Sequence, residues 1–425
     1  MFKNSARASW GFRWKARYTV LSILWIGWLF SFLDRMVVSV ALPFIGREFQ
    51  LNAVSQGLIL SIFFAGYAIF QIPGGMLADK FGPRRIMAFA IVWWSIFTSL
   101  TGMVLSYPLI LICRFVFGLG EGCFPGSSYK TIAMYFPPKE RATATAIQGS
   151  VNALGPAIAS LVAAGIIATF GWHVVFISLG IPGLVIGLAI WFYIKDNPAE
   201  HPQITPEELA ELNLVAPDVS NSDASHGKIT FKGFLKKPIL WQMLLIWFLF
   251  DITFWGFISW LPSYLMEVRG FSVLKTGIYG SLPFFIGTVG MLIGGYLSDY
   301  FKGNRKWLFI PSALLSSFFI YMTFSVVSSN MAIVYQSVAA LFMFLAYAAF
   351  WGLVVDSIPA DIMGAGSGMV NLGGQIAGFI SPFAMGYLID LNKGSFDMAF
   401  SFLAIAAIAS AVVAFVVKIE IETPK

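Results

Sequence analysis

Four ionisable residues interrupt long apolar stretches in the first half of the chain: Asp34, Arg35, Arg114 and Glu121. A charged side chain at the depth of a bilayer costs about 2.5–3.5 kcal/mol or more, so it normally faces a partner or a cavity. Arginine stays protonated and grips a carboxylate with two hydrogen bonds, whereas a buried Asp or Glu can take up a proton. These residue types therefore favour the binding of an organic anion together with the carriage of protons.

The charges of these two arginines and two carboxylates sum to zero when nothing is bound. Protonation of one carboxylate leaves a single net positive charge, which a monoanion neutralises, whereas two protonations leave one charge too many. This balance predicts proton–anion symport. The alternative is a buried network in which the four groups only neutralise one another, although that is a costly way to pack helices.

The spacing within the second pair indicates where partners must come from. Arg114 and Glu121 are seven residues apart, on one face of a helix and about 10 Å apart along its axis. That is too far for a tight ion pair, so we expect each to find partners on other helices. Gly118, Gly122 and Gly126 repeat at small-xxx-small spacing beside them, which lets a second helix backbone approach closely.

Composition places these residues in a membrane protein. Of 425 residues, 58% are hydrophobic and only 11% are charged, with a mean hydropathy of +0.79, whereas soluble domains are about 25% charged. This excludes a soluble enzyme, a disordered chain and a nucleic-acid binder. Two cysteines and three histidines offer no disulfide framework, metal site or catalytic constellation. We therefore expect that the protein is not an enzyme and has no cofactor. From the charge balance above, we expect protons to be the coupling ion.

Apolar segments of roughly 20 residues predict spanning helices. Twelve such segments predict an all-α membrane protein with twelve transmembrane helices: 18–43, 55–78, 86–105, 107–135, 142–169, 173–194, 239–265, 276–299, 307–327, 331–356, 363–389 and 396–418. The first is too long for a cleaved signal peptide and no small-residue cleavage site follows it.

The distribution of Lys and Arg predicts the orientation. With the N-terminus inside, twenty of the 27 fall on the inner side, four on the outer side and three within segments. Both termini are therefore expected in the cytoplasm. Short outer loops and the absence of an Asn-x-Ser/Thr acceptor fit a multi-pass protein of a bacterial inner membrane.

The chain divides into two similar halves, 1–194 and 239–425, joined by a cytoplasmic linker, 195–238. Gly75-Met-Leu-Ala-Asp79 matches Gly295-Tyr-Leu-Ser-Asp299 at an offset of 220, and Gly149-Ser-Val-Asn152 matches Gly368-Met-Val-Asn371 at 219. Such a parallel repeat predicts two six-helix bundles related by a pseudo-twofold axis, the arrangement that an alternating-access transporter requires. Within the linker, Thr205-Pro-Glu-Glu208 predicts a capping box and a short amphipathic helix, followed by a flexible run at 218–227.

The loop from Gly75 to Arg85 places Asp79 at a helix end beside a basic turn containing Arg84 and Arg85. Its charges can clamp neighbouring helix ends through hydrogen bonds that a conformational change must break, and Asp299 repeats the pattern. We therefore predict gating roles for these four residues. Lys130 is expected instead to reach the lipid headgroups. The loop resembles the signature of the major facilitator superfamily, and the resemblance covers all twelve segments.

A narrower resemblance rests on six motifs that occur together: Asp34-Arg35, Gln71-Ile-Pro-Gly-Gly75, Arg114 with Glu121-Gly-Cys-Phe-Pro125, Glu140-Arg-Ala, Trp172-His-Val-Val-Phe176 and Trp260-Leu-Pro262. The set is similar to the anion:cation symporter family, which includes carriers of sugar acids and aromatic acids and the sialin and vesicular glutamate transporters. The resemblance implies Asp34 and Glu121 as proton sites, Arg35 as the carboxylate binder and Arg114 as their charge partner.

The same resemblance implies further residues around the substrate. Tyr67 and Asn152, which also lie near the middle of their segments, would be substrate-binding or gating hydrogen-bonders, and Trp351 and Asn371 would line the pocket in the second half. The function implied is proton-coupled import of an organic anion, a carboxylate such as a sugar acid. An exchanger or facilitator without proton coupling is the alternative. Expected partners are the small anion and the lipid bilayer, no nucleic acid, and we expect a monomer.

Asp251 is a possible additional site residue near the centre of the seventh segment. It could carry a third proton or bind a hydroxyl group of a polyol-like substrate. Equally, it could be a structural carboxyl satisfied by Thr253 or by a neighbouring helix. The sequence leaves these readings open, and it does not identify which acid is carried or the proton stoichiometry.

Overall fold

The structure is a computed structural model that describes residues 14–213, 231–301, 303–358 and 362–417. The described residues form helices and no strand. The helices are α1 Ala16–Glu48, α2 Ala53–Phe81, α3 Pro83–Thr101, α4 Tyr107–Glu121, α5 Phe124–Tyr135, α6 Pro138–Gly149, α7 Val151–Phe170, α8 Trp172–Tyr193, α9 Pro206–Asn213, α10 Phe231–Phe234, α11 Pro238–Glu267, α12 Val273–Tyr300, α13 Lys306–Ser325, α14 Ser329–Ser357, α15 Met363–Leu391 and α16 Asp397–Val416.

Eleven spans in the described chain are long and apolar enough to cross a membrane. Helices α4 and α5 together form one of them, and α6 and α7 another. The remaining predicted segment corresponds to α3, whose 19 residues begin with Pro83 and the two arginines of the basic turn. The predicted all-α fold of twelve segments in two bundles is confirmed.

The two bundles meet along three helix pairs: α2 with α15, α7 with α12, and α1 with α11. In α2, Gly57 and Gly75 are 18 residues apart, which is five full helical turns, so they lie on one face. A Cβ atom at Gly57 would lie 2.5 Å from the Pro382 carbonyl oxygen of α15, whereas one at Gly75 would meet no described atom within 4 Å. The face of α2 therefore touches the second bundle at one end only.

The same pattern recurs in the second bundle, again at a spacing of five turns. In α15, a Cβ atom at Gly386 would lie 2.2 Å from the first carbonyl oxygen of α2, but one at Gly368 would meet no described atom within 4 Å. In α12, Gly277 packs against Ala164 of α7 while Gly295 meets no atom of the described chain within 4 Å. The bundles are thus in contact at the end predicted to be outer and apart at the end predicted to be inner.

At the end where the bundles touch, hydrogen bonds join the start of α2 to the end of α15. The Asp390 carboxylate at the end of α15 accepts hydrogen bonds from the backbone amides of Ala53 and Val54, each at 2.9 Å. The next amide, of Ser55, is capped by the side chain of Asn52 at 3.0 Å. The first three amides of α2 have no partners within the helix, so a carboxylate from the other bundle satisfies two of them.

The linker begins as the sequence predicts. Thr205 and Glu208 form the reciprocal capping box at the start of α9, with both hydrogen bonds at 3.3 Å. Glu211 in the same helix accepts hydrogen bonds from Lys15 at 2.9 Å and from Arg17 at 2.7 Å. The linker helix is therefore tied to the start of α1. The run 218–227 lies outside the described residues, as do seven of the basic residues predicted on the inner side: Lys3, Arg7, Arg13, Lys228, Lys302, Lys418 and Lys425.

Candidate functional site

The centre of the first bundle holds a buried ion pair between α1 and α4. The Arg35 guanidinium donates a hydrogen bond to the Glu121 carboxylate, and the Ser31 hydroxyl donates to the same oxygen. Arg35 is 7% exposed and Glu121 is 1% exposed. The second carboxylate oxygen of Glu121 has no hydrogen-bond partner in the described chain. As the spacing predicts, Glu121 pairs with another helix rather than with Arg114.

Aromatic rings enclose the Arg35 guanidinium. Its central carbon lies 5.0 Å from the ring centroid of Phe32, 4.9 Å from that of Phe63 and 5.2 Å from that of Tyr67. A fourth ring, of Trp255 in α11, lies 5.7 Å away and belongs to the other bundle. Cation–π contacts stabilise a guanidinium that has left water. Because one of the four rings belongs to the other bundle, Arg35 lies at the seam between the bundles.

Asp34 and Arg114 complete the charged cluster without forming a direct pair. Asp34 is fully buried beside Trp94 and Thr98 of α3, within electrostatic range of Arg114 and Glu121, and neither of its oxygens makes a hydrogen bond to a described residue. The Arg114 guanidinium stacks over Phe117 at 4.5 Å. The structure therefore brings the four predicted charges into one buried group.

The backbone of the fourth segment positions Glu121. Helix α4 ends at Glu121 and α5 begins at Phe124, directly before Pro125. Because proline has no amide hydrogen, Pro125 cannot donate to the carbonyl of Glu121 four residues earlier, and the helix is interrupted there. Beside this point a Cβ at Gly118 or Gly122 would lie 2.3 Å or 2.5 Å from a carbonyl oxygen of α2. The predicted close backbone approach is confirmed.

The remaining predicted residues of the first bundle differ in their surroundings. Tyr67 is 5% exposed and packs beside Arg35 and Phe63, so it belongs to the charged cluster. Asn152 is half-buried in α7 and donates to the backbone carbonyl of Gly149 at 3.0 Å. Its predicted role with the substrate stays a prediction.

In the second bundle an aromatic cluster lies between α11 and α14. Trp351 is half-buried, with its ring centroid 5.2 Å from that of Trp247. Trp247 also stacks on Phe350 at 4.6 Å and meets Tyr347 edge-on at 5.1 Å. Trp247 was missed by the sequence reasoning, because an apolar helix rich in Trp and Phe gives no signal for one ring. Asn371 is half-buried on α15.

Asp251 is 4% exposed and lies where α11 packs on α15. A Cβ atom at Gly374 would lie 2.2 Å from one carboxylate oxygen, so α15 approaches Asp251 with bare backbone. The other oxygen is buried without a hydrogen-bond partner among the described residues. Thr253, the intrahelical partner considered from the sequence, donates instead to the Leu403 carbonyl at 2.7 Å.

The first predicted gating loop contacts α5 of its own bundle and the start of the linker. Lys130 of α5 donates to the Asp79 carboxylate at 2.8 Å. The side chains of Lys130 and Asp79 are 33% and 74% exposed, so this ion pair lies at the surface, and the reach of Lys130 to the headgroups stays a prediction. The backbone amide of Arg84 donates to Asp196 at 2.9 Å, whereas Arg85 is exposed and forms no ion pair in the described part of the chain.

The repeated loop of the second bundle is built around Arg305. Its guanidinium approaches Asp299 at 3.5 Å and Asp356 of α14 at 3.4 Å, and donates to the Gly352 carbonyl at 2.5 Å. In the first bundle the loop thus ties the end of the second segment to the fourth segment. In the second bundle the repeated loop ties the end of the eighth segment to the tenth. Their gating roles stay predictions.

The chain matches the family model of the Major Facilitator Superfamily over residues 24–382. It therefore belongs to the major facilitator superfamily, and it is a membrane transporter rather than an enzyme. Three curated relatives confirm the narrower resemblance to the anion:cation symporter family. They are Probable sulfoacetate transporter SauU of Cupriavidus necator (34% identical, 94% of each chain covered), Probable galactarate/D-glucarate transporter GarP of Escherichia coli K12 (32%, 93% of each) and Hexuronate transporter of Bacillus subtilis 168 (30%, 91% of each).

Solved structures share the fold. A bacterial homolog of the human lysosomal transporter Spinster, in an inward-facing and unoccupied conformation, superposes with a TM-score of 0.73 at 22% identity, covering 94% of this chain and 95% of that one. The D-xylose-proton symporter gives a TM-score of 0.75 at 16% identity, with 95% and 98% covered. At these identities the likeness establishes the architecture alone.

Proposed function

We propose that this transporter imports an organic anion, a carboxylate such as a sugar acid, together with protons across a bacterial inner membrane. In this proposal it works as a monomer by alternating access, with both termini in the cytoplasm. The observation that carries the proposal is the buried Arg35–Glu121 ion pair at the seam of the two bundles. The relatives are named for the transport of sulfoacetate, of galactarate or glucarate, and of hexuronates, which are all acids, and this supports an anionic substrate.

Coupling follows from competition for one guanidinium. Arg35 can bind a substrate carboxylate through two hydrogen bonds, but in the structure it is held by Glu121. Protonation of Glu121 removes the charge that holds Arg35 and frees it for the substrate. A substrate anion and a deprotonated Glu121 would otherwise compete for the same buried cation, so binding of the anion favours uptake of a proton.

The charge balance of the cluster supports the same coupling. Asp34, Arg35, Arg114 and Glu121 are neutral together, and all four are at least nine-tenths buried. An anion entering this group without a proton would leave a net negative charge in a low-dielectric interior, which is strongly unfavourable. One proton per monoanion restores neutrality at the four groups.

The separation of the bundles supports alternating access. The bundles meet at the end predicted to be outer, and glycine faces five turns away have open space. If the positive-inside orientation holds, the substrate site in this structure faces the cytoplasm. Rocking of one bundle against the other would close the inner glycine faces and open the outer ones.

Uptake of a labelled acid into proteoliposomes tests the proposal. We expect an inward proton gradient to drive accumulation in the wild-type protein, and Glu121→Gln to abolish gradient-driven uptake while sparing counterflow exchange. Glu200→Gln, on an exposed linker glutamate, is the matched control and should behave as wild type. Uptake that ignores the gradient would mean an exchanger or facilitator, and equal loss of uptake and exchange in Glu121→Gln would assign Glu121 to binding or folding.

A further inference from the structure

Ser31 carries a buried hydroxyl that the proposed coupling does not use. It lies on α1 one turn before Arg35, so the two side chains share a face of the helix, and it is 1% exposed. Both side chains donate to the same carboxylate oxygen of Glu121 on α4. The second oxygen is buried without a hydrogen-bond partner among the described residues. The carboxylate is therefore held through one of its two oxygens.

The hydroxyl proton of Ser31 is directed away from its own helix. A serine within a helix can donate to the carbonyl four residues earlier, as Ser127, Ser160 and Ser312 do at 3.0, 2.9 and 2.7 Å. A hydroxyl carries a single proton, so Ser31 forgoes that bond when it donates to Glu121. The Ser31 hydroxyl therefore belongs to the charged cluster.

The unpartnered oxygen of Glu121 determines where a proton binds. An incoming proton forms its O–H bond at this oxygen, and the other oxygen becomes the carbonyl oxygen of a neutral acid. A carbonyl oxygen still accepts a hydrogen bond from a hydroxyl. The attraction to the Arg35 cation depends on the carboxylate charge, so it is lost when the proton binds. Protonation thus releases Arg35 but leaves the hydrogen bond from Ser31 in place.

We propose that Ser31 is a positioning residue that holds Glu121 in both of its protonation states, while Arg35 is exchanged between Glu121 and the substrate. The same hydrogen bond limits how readily the proton binds, because a hydrogen bond to a charged acceptor is stronger than one to a neutral acceptor. This inference rests on the proposed function, since it assumes that Glu121 takes up the coupled proton.

Four other ionisable groups act on the titration of Glu121 through their charges or hydrogen bonds. They are Arg35 and Asp34 on α1, Arg114 on α4 and Tyr67 on α2. None of them is altered by a substitution at Ser31. A change in the protonation of Glu121 in a Ser31 variant therefore reports the missing hydroxyl.

Infrared difference spectroscopy of the purified protein in lipid, between alkaline and acidic pH, tests the inference without a substrate. A neutral carboxylic acid has a C=O stretching band that a carboxylate lacks, and the part of this band that Glu121→Gln removes belongs to Glu121. A hydrogen bond to the carbonyl oxygen lowers the frequency of the band. We expect Ser31→Ala to move the Glu121 band to higher frequency. We also expect half of the band to appear at a proton concentration about threefold to tenfold lower than in the wild-type protein.

Two further variants provide the controls. Ser31→Thr keeps a hydroxyl and should restore the frequency and the midpoint pH to near the wild-type values. Ser312→Ala removes a buried hydroxyl that is bonded to its own helix, and it should change neither.

Three results would overturn the inference. A wild-type frequency or midpoint in Ser31→Ala would mean that the hydroxyl does not hold the neutral acid. Equal shifts in Ser31→Ala and Ser312→Ala would mean a general loosening of the helix packing. If Glu121→Gln removed no pH-dependent band, Glu121 would not take up a proton, and the proposed coupling would fail as well. The expected shifts in a protein whose uptake ignores a proton gradient would overturn the proposed function alone.

Discussion

The glycine faces of α2 allow a direct test of the two-state geometry. Gly57 and Gly75 lie on one face of one helix, so alanine adds the same methyl group at both positions. At Gly57 the methyl carbon would lie 2.5 Å from the Pro382 carbonyl oxygen, but at Gly75 it would meet open space. The two substitutions should therefore shift the equilibrium between the inner-open and outer-open states in opposite directions.

The expected sizes follow from packing and helix propensity. Alanine stabilises a helix interior by about 0.8–1.0 kcal/mol relative to glycine. In Gly75→Ala the added methyl group has room in the state seen here but would be crowded when the inner faces close, so only the present state should gain the full stabilisation. Overpacking at Gly57 costs about 1–3 kcal/mol and acts on the contact that closes the outer end. Since about 1.4 kcal/mol is a factor of ten, Gly57→Ala should move the equilibrium toward outer opening by up to roughly a hundredfold.

Distances between spin labels at the outer ends of the two bundles report the equilibrium. Leu105 and Val327 are 88% and 94% exposed, lie in loops at the predicted outer end and belong to different bundles. The labels are attached in a background with the buried Cys113 and Cys123 replaced by alanine, and retained counterflow activity of this background is the control. We expect a longer distance in Gly57→Ala and an unchanged or more uniform short distance in Gly75→Ala.

Two results would refute the reasoning. If folded Gly57→Ala kept the wild-type distance distribution, the contact between α2 and α15 would not hold the outer end closed. If Gly75→Ala lengthened the distance as Gly57→Ala does, the open face at Gly75 would not be the surface that closes in the other state.

Three further predictions concern the site and the linker. Arg35→Lys keeps the charge but loses the two-pronged grip on a carboxylate, so it should lower the affinity for substrate by at least about tenfold in counterflow without unfolding the protein. Gly118→Ala places a methyl group 2.3 Å from an α2 carbonyl oxygen and should lower the free energy of unfolding by about 1–3 kcal/mol in a thermal or denaturant assay. Hydrogen bonds from Lys15 and Arg17 lower the pKa of Glu211 below its ordinary value. The ion pairs of Glu211 should therefore hold α9 fully above the ordinary glutamate pKa and weaken as the pH drops through the lowered one. We expect a loss of hydrogen-exchange protection factors in α9 on acidification that is smaller in Glu211→Gln than in the wild-type protein.

Much of the fold was predictable because a bilayer restricts it so strongly. Segment length, the positions of Lys and Arg and the two repeat offsets give twelve helices, two bundles and a common depth for Asp34, Arg35 and Glu121. The capping box at Thr205 and the close approach at Gly118 were also predictable, since each depends on local spacing.

The pairing inside the site was not predictable, because it depends on helix rotation. Asp34 and Arg35 are neighbours in sequence but point about 100° apart on a helix, so Arg35 meets Glu121 while Asp34 faces α3. The contact between Lys130 and Asp79 needs the relative placement of α5 and α2, which spacing along one helix does not contain.

The hydrogen bonds between the start of α2 and Asp390 depend on side-chain identity at the acceptor but not at the donors. The donors are main-chain amides, which every residue type except proline carries at positions 53 and 54. Sequence drift along the first turn of α2 therefore leaves the fastening almost untouched, whereas a change at the lone acceptor removes both bonds together. Of the residues in this fastening, Asp390 is thus the one at which a single substitution removes both hydrogen bonds.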